Sequence, residues 1–166
     1  MKKIHLTTSL LALSFFLYPL TVLQGVIAQP QGEGKLTIAQ AKPANKQSII
    51  VHLRHGTDDL HAVIMALKMA SGLQNKGASV ILLLTQEGVR IADTRQPQNL
   101  RWGNSPMTIG EMYENFVKAG GKVIVCPVCA EAVGLTANSL RPGAQFAQGN
   151  NDIPSIVLAA DKILGF

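Results

Sequence analysis

The chain has 166 residues, 47% of them apolar and 15% charged, with a formal net charge of +5. It is too apolar for a disordered chain, too poor in charge for a coiled coil and, with two cysteines, no disulfide-dense scaffold. The excess charge lies near the amino terminus, and residues 48–166 are close to neutral, so a basic face for nucleic acid is absent from the sequence pattern.

Met1-Lys2-Lys3 is a short positive start, and Ile4–Ala28 follows without a single Asp, Glu, Lys or Arg. Val26 and Ala28 place small residues where a signal peptidase reads them, so residues 1–28 are expected to be a secretory signal peptide. The alternative is an uncleaved membrane anchor over 4–28. Thr7, Thr8, Ser9, Pro19 and Gln24 interrupt the run and favour the signal, and the absence of a following Cys excludes a lipoprotein. Either way the folded part is expected outside the cytoplasm, in a periplasm or thylakoid lumen, where thiols tend to be oxidised. Residues 29–47, rich in Gln, Gly, Ala and Lys with two prolines, read as a flexible leader, and the domain is expected over 48–166.

Three continuous apolar runs, Ser48–Leu53, Ser79–Leu84 and Lys122–Cys126, have the pattern of strands covered on both faces, as in a parallel sheet. After the first, Thr57 is a candidate cap with Asp58 and Asp59 in the opening turn. Leu60, Val63, Ile64, Leu67 and Ala70 then share one helical face, and Lys76-Gly77 stops the helix. Gln86–Met107 is longer than the roughly 12–15 residues usual for a structureless loop and holds the single Trp, so it is expected to contain extra structure, cover a site or be a variable surface loop. Thr108-Ile-Gly-Glu111 is a capping box opening a helix that runs to Gly120-Gly121. Pro127–Ala137 reads as a short helix, Leu140–Gly143 as a turn and Ala144–Ala147 as a fourth strand. Pro154–Ala160 reads as a last helix and Lys162–Phe166 as a closing strand. The sum is an alternating α/β sandwich around a mostly parallel five-stranded sheet.

The chemistry concentrates in Cys126-Pro-Val-Cys129. Cys126 ends a strand and Pro127 can open a helix, which sets the first sulfur beside free N–H groups that favour a thiolate. Cys129 lies one turn on, on the same face, so Cys126 can attack and Cys129 can resolve. The bland alternatives are two buried small hydrophobes or a static disulfide. A zinc site needs about four ligands, and the spacing of His52 and His55 from the cysteines fits no zinc motif, so no metal is assigned. His55, just past the first strand, is a candidate to stabilise the thiolate or shuttle a proton if the first and third strands are neighbours. His61, Met65 and Met69 read as surface or filler residues. Arg54-His-Gly-Thr57 has one glycine, which does not support a nucleotide cofactor.

His55-Gly-Thr-Asp-Asp59 after the first strand, Met65–Ala70, Glu87-Gly-Val-Arg-Ile-Ala92 after the second and a Cys ending the third together resemble the DsrE/DsrF-like sulfur-relay family over about 48–166. The resemblance implies a flavodoxin-like three-layer sandwich and assembly as a homotrimer or homohexamer. It also implies that Cys126 matches the family's sulfur-accepting Cys, with Cys129 matching a second Cys of some members. The partners implied are sulfur donor and acceptor proteins or small sulfur species. Two function classes follow. One is an exported thiol-based sulfur carrier using Cys126, Cys129 and His55. The other is a non-catalytic metal- or small-ligand-binding or assembly module with a structural Cys pair.

Overall fold

In the computed structural model, residues 47–166 are described. The signal peptide or anchor, and the leader up to residue 46, lie outside the described residues. The elements are β1 (Ser48–Leu53), α1 (Leu60–Asn75), β2 (Ser79–Leu84), α2 (Ile109–Lys118), β3 (Lys122–Val125), α3 (Pro127–Ala132), β4 (Ala144–Phe146), α4 (Ile153–Leu158) and β5 (Lys162–Gly165). All strand pairs are parallel, in the order β4-β3-β2-β1-β5. The fold is the expected α/β sandwich. Gln47, read from the sequence as the end of the leader, is buried just ahead of β1, and its carbonyl accepts the Ser79 N–H at 2.9 Å.

The two faces of the sheet follow from side-chain alternation. Ile49, Val51 and Leu53 of β1, Val80, Leu82 and Leu84 of β2, and Val123 and Val125 of β3 point to one side. There they meet Val63, Ile64, Leu67 and Ala70 of α1, Ile109, Met112 and Phe116 of α2, and Ala130 of α3. Ile50, Leu83 and Ile124 point to the other side, where Ile156 of the six-residue α4 covers them. Strands that step β1→β2→β3→β4 in one direction by right-handed crossovers put three helices on one face. The return from β4 to β5 puts the last helix on the opposite face. Each large apolar side chain so buried contributes about 1.5–3 kcal/mol, so the heavier of the two packed layers dominates the stability.

Two local readings change. Asp59, not Thr57, caps α1: its carboxylate accepts the Ala62 N–H at 3.0 Å. Asp58 instead turns back and accepts the Gly56 N–H. Three polar residues in a row each suit the cap, and the position of the first buried face decides among them. The long segment Gln86–Met107 begins with a 3-10 helix over Gln86–Ala92 whose Val89, Ile91 and Ala92 are buried. The capping box is as expected: Thr108 accepts the Glu111 N–H while Glu111 accepts the Thr108 N–H.

Candidate functional site

β3 ends at Val125, one residue before the sequence pattern suggests, and Cys126 becomes the cap residue of α3 with extended backbone. Its N–H still continues the ladder, donating to Leu84 O of β2 at 2.9 Å, and its carbonyl accepts the Ala130 N–H. Pro127 takes the first helical position, where no N–H is needed. One turn on, Cys129 returns to the same side. Both cysteines are free thiols, half-buried and packed against the main core. α3 has only six residues, so its dipole is a small contribution to anion stabilisation.

The surroundings of Cys129 are polar on one side and apolar on the other. Burial pushes its thiol pKa up, the neighbouring Cys126 adds to that rise, and the backbone N–H of Gln86 opposes it. Gln86 is the one non-glycine among the described residues with a positive φ, +52°. A left-handed residue with a side chain costs about 1–2 kcal/mol, and here that conformation turns the chain from β2 into the 3-10 helix beside α3. Sequence reasoning missed Gln86, since nothing in Leu-Thr-Gln-Glu marks a left-handed residue as Gly or Asn does.

The turn that carries Gln86 is held by two glycines, each pressed against backbone of the neighbouring connection or strand end. A Cβ on Gly88 would stand 2.3 Å from Leu53 O, and one on Gly56 would stand 2.7 Å from Glu87 O. Without side chains there, Gly88 N–H donates to Arg54 O at 3.0 Å and Thr85 N–H to Leu53 O at 3.1 Å. The loops after β1 and β2 are thereby locked together at the carboxyl end of the sheet, where parallel folds place their ligands.

The structure brings Cys126 and Cys129 together. His55 lies just past β1, and β2 stands between β1 and β3. His55 Nδ1 bonds Asp58 Oδ2 at 2.7 Å, and that bond is the first cause holding the Asp58 carboxyl below its usual range. His52 sits on the thinly covered face, bonded to Thr85 Oγ1 at 2.7 Å, with its pKa lowered by burial and then by Arg54. His61 stacks on Trp102, ring centres 4.0 Å apart. Among the described residues, no group of three or more His, Cys, Asp and Glu lies close enough together to hold a metal ion, and no helix is long and apolar enough to cross a membrane.

Two solved structures share this architecture. The ychN protein from E. coli is 20% identical, with a TM-score of 0.56, covering 72% of this chain and 98% of that one. MTH1491, a protein of unknown function from Methanobacterium thermoautotrophicum, is 12% identical, with a TM-score of 0.56, covering 72% and 99%. At such identities the likeness is one of fold. No curated protein matches the chain. The model of the DsrE/DsrF-like family matches residues 47–166, which takes in every strand of the sheet, the glycine-locked loops and the cysteine pair at the end of β3. The chain belongs to the DsrE/DsrF-like family.

Proposed function

We propose that this is an exported, thiol-based sulfur carrier of the sulfur-relay type, in which Cys126 is the persulfide-forming nucleophile and Cys129 the resolving thiol. The observation that carries the reading is the pair of half-buried free thiols side by side where β3 gives way to α3. Family membership supports a relay role in general. The uncharged run after Lys2-Lys3 supports export to a periplasm or thylakoid lumen. Exposed Leu158 and Ile163, on and beside the thinly covered face, supply apolar surface for assembly into a homotrimer or homohexamer.

The Cys126 thiolate attacks the terminal sulfur of a donor persulfide. The donor S–S bond breaks, Cys126 gains a persulfide, and the donor leaves as a thiolate. An acceptor thiolate then attacks the outer sulfur and restores the Cys126 thiolate. If Cys129 attacks the inner sulfur instead, hydrosulfide leaves and a Cys126–Cys129 disulfide forms, which a dithiol reductant must reopen with two electrons. Only a thiolate attacks, and burial, with Cys126 adding to it, pushes the Cys129 thiol up. That direction disfavours resolution relative to an ordinary thiol and favours handing the persulfide on.

Mass spectrometry after treatment with polysulfide tests it. The wild type is expected to gain the mass of one sulfur atom. Cys126→Ser loses that gain, and Cys129→Ser keeps it for longer than the wild type. Sulfur uptake that survives in Cys126→Ser, or none in the wild type, ends the proposal.

A further inference from the structure

We propose that the cavity between α2 and the Leu140–Gly143 turn binds a small organic carboxylate, with Arg141 as its anchor. The cavity, about 490 Å³, falls in the size range of small-molecule sites and shares no lining residue with the cysteine pair. At its wall stands the Arg141 guanidinium, only 6% exposed.

A buried cation needs an anion close by, or its desolvation goes uncompensated. Arg141 has none within hydrogen-bond distance. Its Nη1 donates to the amide oxygen of Gln98 and its Nη2 to Gly110 O at 3.4 Å, both neutral acceptors, using two of the five N–H groups a guanidinium carries. Its plane lies over the Tyr113 ring, 4.0 Å from the centroid. Tyr113 cannot supply the charge, because burial pushes its phenol up to about 12 and the hydroxyl donates to Pro142 O. The nearest carboxylate is Glu114, with Oε1 at 3.7 Å from Arg141 Nη2 and its side chain 55% exposed. Glu114 is also shared with Lys118, whose Nζ lies 3.4 Å from Oε2. The cavity wall thus presents two cations to one solvent-facing acid.

The rest of the lining is mixed: Val117, Pro142 and the Tyr113 ring are apolar, and Thr94 and Gln98 add two uncharged polar groups. A ligand that suits both features carries one carboxylate on an apolar body. The carboxylate meets the guanidinium fork, displacing Glu114 toward solvent, and the body lies along α2.

The test is a two-dimensional NMR titration of the purified protein with benzoate, and with benzamide as its neutral counterpart. Benzoate is expected to give saturable shifts centred on Tyr113, Val117 and Arg141, and to bind at least about tenfold more tightly than benzamide. Glu114→Gln, which removes the resident competitor from an exposed position, should tighten benzoate binding roughly two- to five-fold, the size of a partly exposed ion pair. Arg141→Gln should abolish it. Should that variant unfold, Lys118→Ala, at an exposed site, should weaken binding by a similar two- to five-fold. Absence of saturable binding, equal affinity for benzamide, shifts centred elsewhere, or a Glu114→Gln variant that binds no better each overturns the proposal.

Discussion

The connection from β2 to α2 is one stretch of chain with two characters. From Gly88 to Asp93 it is largely interior: Val89 and Ala92 are fully buried, and Ile91 and Asp93 are within 2% of it. From Thr94 to Met107 it lies mostly on the surface, with Trp102 46% exposed. It is laid over the starts of α1 and α2 by the His61–Trp102 stack and by the N–H groups of Ile109 and Gly110, which donate to Leu100 O and Gln98 O. The first part forms the wall against which the cysteine pair rests; the second covers helix ends. Within one connection, then, positioning of the thiol site is separated from what lies over it: Arg95 and Gln98 tie back to Asp93, and change beyond them, around Trp102, leaves the first part intact.

The sharpest way to break that contrast is Gly88→Ala. The added Cβ meets Leu53 O at 2.3 Å and Leu53 C at 2.9 Å, both backbone atoms that cannot rotate away. The loop after β1 must part from the turn after β2, and the expected loss is about 3 kcal/mol or more, read as a fall in the denaturant midpoint. Loss of the Gln86 amide from Cys129 should accompany it, seen as a further rise in the pH at which that thiol ionises. A melting transition within error of wild type would show that the two loops are not locked.

Asp93 comes next in size. Its buried carboxylate receives Nε and Nη2 of Arg95 and the Arg95 N–H, while Arg95 also reaches Gly134 O in the turn after α3. Asn keeps the shape and gives up the charge-assisted pair, an expected cost of about 1–3 kcal/mol. The pH dependence has a definite sign. Arg95 holds the Asp93 carboxyl below its usual range, so the folded pKa is lower than the unfolded one. The stabilisation is complete above about pH 4 and is lost as pH falls through the folded value. The stability gap between wild type and Asp93→Asn should therefore close on acidification. A gap that stays constant down to acid would mean that the charge of Asp93 is not what fastens the segment.

Much of this was legible in the sequence. Continuous runs such as Ile49-Ile50-Val51 announce strands buried on both faces, and Thr108 with Glu111 announces a helix start, because both signals are local. The cysteine pair was legible for the same reason: its geometry is one helical turn. What was not legible is long-range. Strand order is absent from local pattern, so the sequence left open how near β1 lies to β3, and the fold places β2 between them. Nothing in Glu87-Gly-Val says that Gly88 is pressed against Leu53, and nothing local marks Asp93 or Arg141 as buried, since charged residues rarely are. Only the Val89, Ile91 and Ala92 apolar triplet hinted that the long connection begins inside.

The smallest effect belongs to the outer half of the connection. Trp102 stacks on His61 with the rings 8° from parallel, both residues being exposed. Aromatic pairs contribute about 0.5–1.5 kcal/mol beyond burial, and water on both sides argues for the lower end. Trp102→Ala should therefore cost under about 1 kcal/mol, while amide exchange quickens over 94–107 and stays unchanged over 86–93. Sulfur uptake at Cys126 should be unaffected, since the wall behind Cys129 is fixed by Gly56, Gly88 and Asp93 and not by the stack. Faster exchange spreading into Val89 or Ile91 would show that the two halves move together, and the division drawn between them would fall.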